Sequence, residues 1–181
     1  RFVGTNLLLS ATMMTLVVTS PFVADALLPG RASTQGLNGA LVVGMLGSVA
    51  LLALIGRRVE PTALFRLGGL VGATVLAVLG ASTLLGGLPA AAWLLGFGLL
   101  GYLALSTMAM PSLIVAQLAT RDGKGREGLF FSLNGGAVAF GNAIGAFLAS
   151  SALALSASPG DPLGVQVAVA GALTLAVGAS A

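Results

Sequence analysis

The chain has 181 residues, of which 57% are apolar and 7% charged, and its mean hydropathy is +1.06. Soluble domains carry about 25% charged residues, so this composition excludes an ordinary soluble enzyme or binding module and points to an integral membrane protein. The formal charge of +3 sits in short loops between apolar runs, where membrane topology explains it better than nucleic-acid binding; the absence of cysteine and histidine removes disulfides, thiol chemistry and the commonest metal ligand.

The apolar runs are continuous rather than alternating in segments of about ten, which argues for helices over a transmembrane barrel. The 27 glycines suit close helix packing, since small residues let backbones approach in lipid. We read six spans. The first, residues 2–28, is the most polar, with Asn6, Ser10 and the series Thr5, Thr12, Thr15 and Thr19 on one helical face. Such a stripe either faces other helices or a polar path, or bonds back to its own carbonyls. Pro21 is expected to kink this helix. The second span, 35–55, has a small-residue face of Ala40, Gly44, Gly47 and Ser48; the basic turn Gly56-Arg57-Arg58 follows, then the third span, 64–85.

The fourth span, 91–119, contains Trp93 and, past its middle, Pro111, which is expected to kink or loosen it beside Met108, Met110, Ser112 and Gln117. The basic stretch from Arg121 to Glu127 is the densest charge in the chain. The fifth span, 128–155, carries Asn134 and Asn142, polar residues that are costly in lipid unless bonded across helices. Gly141 and Gly145 form a close-approach pair for helix packing. The sixth span runs from 163 to 181. If the spans alternate sides, Arg1, Arg57, Arg58, Arg66, Arg121, Lys124 and Arg126 share one side and only Arg31 lies on the other. That asymmetry places both ends in the cytoplasm. Arg1 at the start and an apolar run that stops at Ala181 lead us to expect a piece of a longer chain.

Met110-Pro111-Ser112 with Ala116, then a basic loop, then Arg126-Glu127-Gly128-Leu129-Phe130-Phe131-Ser132, resembles the junction between the tenth and eleventh helices of the glycoside-pentoside-hexuronide cation symporters, a family of the major facilitator superfamily. The resemblance implies an all-α, polytopic six-helix bundle, residues 1–181, equivalent to the carboxy-terminal half of a bacterial inner-membrane transporter. It further implies alternating access and a small polar solute such as a sugar, bound between this half and a missing amino-terminal half. Solute contacts are expected from Asn134, Asn142, Thr12, Thr15, Thr19 and Gln117, with no cofactor or metal. Arg57 and Arg58 resemble the superfamily's basic loop, which together with Arg126 and Glu127 would have a conformational or topogenic role.

Ala139 stands where the family commonly has a lysine linked to cation coupling, and Gln117-Leu118-Ala119-Thr120 where an acidic pair is usual. These departures sustain a second expectation, a facilitator-like structural or assembly subunit that works with partner membrane subunits, for example in a photosynthetic complex. An intramembrane enzyme is not expected. No span holds a pair of carboxylates, and no Gly-x-Ser-x-Gly elbow is present.

Overall fold

The computed structural model describes residues 2–27, 34–55, 58–85, 89–103, 110–122, 127–156 and 161–180. Within them the chain is all-helical: α1 (Phe2–Leu27), α2 (Thr34–Ile55), α3 (Pro61–Leu85), α4 (Ala90–Leu100), α5 (Met110–Asp122), α6 (Glu127–Leu153) and α7 (Leu163–Ser180). Four of these, α1, α2, α3 and α6, are long and apolar enough to cross a membrane. The hydrocarbon core of a bilayer is about 30 Å thick and needs about 20 helical residues; α4 and α7 are apolar but shorter. The expected fourth span is thus described as two helices, with residues 104–109, including Met108, outside the described residues. Pro111 lies on α5 and is buried.

Local chemistry explains several helix ends. Pro61 and Pro162 occupy first-turn positions, where a missing N–H breaks no helical bond. The Glu60 carbonyl accepts from the backbone N–H groups of Ala63 (3.0 Å) and Leu64 (3.2 Å). Asp161 caps α7, its Oδ1 accepting from the Leu163 N–H at 3.0 Å. The chain entering α7 is also tied to the end of α6: the Gly164 N–H donates to Ser156 Oγ at 3.1 Å.

Pro21 does not end α1, which runs on to Leu27. Proline at this position leaves the Val17 carbonyl without its usual N–H partner. The Ser20 hydroxyl supplies the replacement, donating to Val17 O at 2.9 Å. Ser20 Oγ also lies 3.0 Å from the Asn38 carboxamide on α2. A single side chain therefore repairs the proline break and ties α1 to its neighbour.

α1 is the interior helix. Of its most apolar stretch 61% is buried, against 22% for α2 and 28% for both α3 and α6. It packs chiefly along α6 and α7; α7 packs on α3, α3 on α4, and α4 on α2. The apolar core is centred on Trp93, Phe97, Leu100 and Leu103 following α4, against Leu76 and Leu79 of α3. α2 and α4 meet through glycines, because a Cβ on Gly44 would run into the Gly98 carbonyl and come within 3.1 Å of Gly101 Cα. Large apolar side chains cover outward faces, among them Val42, Val43, Leu46 and Val49 on α2 and Phe140 and Phe147 on α6. In water such faces would be costly; against lipid tails they are satisfied.

Candidate functional site: a polar seam between α1 and α6

The close approach of α1 and α6 is written in their small residues. A Cβ added at Gly141 would meet the Leu7 carbonyl and lie 2.9 Å from Ser10 Cβ. One added at Gly145 would meet the Ala11 carbonyl and lie 3.0 Å from Ala11 Cα. Glycine at these two positions lets the backbones touch, and backbone contact brings short polar side chains within reach of one another.

The polar residues use that proximity. Asn6 Nδ2 donates to Asn134 Oδ1 at 2.7 Å, with both residues buried. Thr15 Oγ1 donates to the Ala11 carbonyl at 2.8 Å, and the Gly145 carbonyl stands across the seam as a longer second acceptor at 3.2 Å. Thr12 and Thr19, also buried, donate to the carbonyls of Leu8 (2.9 Å) and Thr15 (2.6 Å) on their own helix. Thr12, Thr15 and Thr19 therefore both lie inside the protein and satisfy themselves by back-bonding. Lipid offers a hydroxyl no alternative partner.

The expected site residues separate accordingly. Asn134 and Thr15 come together in the seam, with Thr12 and Thr19 on the same interior helix. Asn142 does not join them: it is exposed on α6, turned away from the buried face formed by Asn134, Ala137, Gly141 and Gly145. Gln117 is exposed on α5. The reason is helical phase: Asn134 and Gly141 are seven residues apart and share a face, whereas Asn142 stands about 100° round from Gly141. Arg58 is exposed in the turn before α3, while Arg57, Arg126 and the side chain of Glu127 lie outside the described residues.

Two members of the cluster, Asn6 and Ser10, belong to the site although the sequence reading gives them only as polar residues of the first span and not as expected solute contacts. A signal existed. They are one helical turn apart on the most polar span, and an asparagine within an apolar helix needs a partner from another helix. With carboxamides, hydroxyls and backbone carbonyls only, the seam is suited to binding neutral hydrogen-bonding groups and to holding helices in register. Among the described residues no group of His, Cys, Asp and Glu is placed to hold a metal ion.

The fold and this seam define an all-helical protein with membrane-length helices packed around a polar interior helix. Compared with known proteins, the chain matches no family model, and no curated protein or solved structure is significantly similar to it.

Proposed function

We propose that the chain is the carboxy-terminal six-helix half of a secondary transporter of the major facilitator type, which moves a small polar solute such as a sugar by alternating access. In this reading α4 and α5 together make the fourth crossing and α7 the sixth. The protein sits in a bacterial inner membrane with both ends of the chain in the cytoplasm. The observation that carries the proposal is the neutral polar line along the interior helix, centred on the Asn6–Asn134 pair at 2.7 Å. Buried amides on membrane-length helices are costly to keep unless bonded across helices, which makes each a site candidate. The Arg126-Glu127-Gly128-Leu129-Phe130-Phe131 junction adds the family resemblance. Uptake by the native full-length protein tests it: Asn134→Ala and Thr15→Ala are expected to lower uptake at unchanged abundance in the membrane. Unchanged uptake for both would remove the site assignment.

One observation favours a second reading, a structural or assembly subunit that moves no solute. Thr12, Thr15 and Thr19 all give their hydroxyl hydrogens to carbonyls of their own helix, and Asn134 is paired with Asn6. Native mass under mild detergent separates the two. A polypeptide about twice this length, travelling alone, supports the transporter; a chain of this size that travels only with other membrane subunits supports the assembly role.

A further inference from the structure

Four hydroxyls of α1 follow a common pattern from which Ser10 departs. Thr12, Thr15 and Thr19 donate to the carbonyl four residues back and Ser20 to the carbonyl three back. Ser10 is 3% exposed, yet its Oγ has no hydrogen-bond partner among the described residues. One turn earlier the same is true of Asn6 Oδ1, on a residue that is 0% exposed. Residues four apart on a helix share a face, so the two orphan oxygens belong to one patch of α1, with Gly141 of α6 against Ser10.

Turning the amides does not remove the orphan. The Asn6–Asn134 pair can form with either residue donating, and in both cases one end of the Asn6 carboxamide is left over, as an acceptor or as a donor. A buried polar group without a partner carries its full desolvation penalty, and three satisfied threonines on the same helix show that back-bonding is open to its hydroxyls.

We propose that Asn6 and Ser10, bounded by Asn134, form a binding site for one neutral hydroxyl group, either a water molecule or a hydroxyl of a small solute. A hydroxyl can donate to Asn6 Oδ1 and accept from the Ser10 hydroxyl at the same time, and it matches a turned amide equally well because it is both donor and acceptor. The chain's acids are Asp25, Glu60, Asp122, Glu127 and Asp161, and none lies within one helical turn of Asn6, Ser10 or Asn134 along its helix. No basic residue lies within one turn of them either, so the groups assembled on these two helices are neutral. Asn134, at 9% exposure, is the least enclosed of the three. The site stands whether the protein transports or not.

The Ser10→Ala variant of the native, full-length protein in detergent gives a test by sign. Removing a hydroxyl that has no partner leaves the melting temperature unchanged or raises it, whereas removing one that holds a bound hydroxyl lowers it. We expect a fall, corresponding to about a three- to tenfold loss in the folding equilibrium, the worth of one hydrogen bond. A high-resolution map of the wild-type protein prepared without polyols is expected to show an oxygen within hydrogen-bonding distance of both Ser10 Oγ and the Asn6 amide if the ligand is water. If it is a solute hydroxyl, glycerol raises the wild-type melting temperature more than that of Ser10→Ala. Ser10→Ala melting at or above wild type, with no oxygen in the map and an equal glycerol response, overturns the proposal.

Discussion

Replacing Gly145 by alanine tests the α1–α6 seam where its tolerance is smallest. The new Cβ would lie 3.0 Å from both the carbonyl carbon and the Cα of Ala11 and closer still to the Ala11 carbonyl oxygen. Carbon atoms prefer separations of about 3.5–4.0 Å, so the helices must part by about 0.5–1 Å. Because the obstacle is backbone, no side-chain rotation can relieve it. Overpacking of this kind costs about 1–3 kcal/mol, and the gain from replacing glycine by alanine within a helix, about 0.5–1 kcal/mol, offsets part of it. The net loss is up to about 2.5 kcal/mol, or a fall of up to about 10 °C in melting temperature for a chain of this size. Gly136 on the same helix supplies the control, since a Cβ there meets nothing within 4 Å. Gly136→Ala should melt at or slightly above wild type. Thermal unfolding of the purified native protein, followed by the fluorescence of Trp93, its buried indole, reads both. If Gly145→Ala and Gly136→Ala melt within a degree of each other, the backbone contact between α1 and α6 is not the tight one described.

The Asn6–Asn134 bond should show as a coupling in a double-mutant cycle: Asn6→Ala and Asn134→Ala each destabilise, and the double variant costs less than their sum by about 0.5–1.5 kcal/mol; strict additivity of the melting data would argue against the pair. Ser20→Ala removes the hydroxyl that serves Val17 O next to Pro21 and should cost about 1 kcal/mol, while Ser20→Thr retains most of the stability; equal melting of both variants with wild type would refute this role. Asp161→Ala removes the cap on Leu163 N–H and should cost about 0.5–2 kcal/mol, with faster amide exchange in the first turn of α7; unchanged exchange there would count against it.

Most of the helices were legible because the physics that makes them is local. In lipid each backbone N–H and C=O must be satisfied within its own segment, so long uncharged runs bounded by Pro, Gly and charge become helices whatever surrounds them. Residues 2–28, 35–55 and 128–155 correspond closely to α1, α2 and α6. The fourth run is described as α4 and α5, with residues 104–109 between them outside the described residues. Pro21 shows a limit of local reading. Its effect on α1 depends on a neighbouring hydroxyl, and only the folded chain shows Ser20 in place to accommodate it.

For the candidate site, sequence alone determined which residue types were expensive in a membrane: Asn134, Asn142 and the threonines, each a polar group in an apolar helix. It determined as well, through Gly141 and Gly145, that α6 has a face made for close approach. Only the tertiary structure decided which polar residues meet. Asn134 pairs with Asn6 across 128 positions of chain, whereas Asn142, eight residues further along α6, is exposed. The period of a helix states which residues share a face, but not which helix that face will press against. That choice is made by the global packing, here by the glycines of α6 meeting the carbonyls of Leu7 and Ala11 on α1.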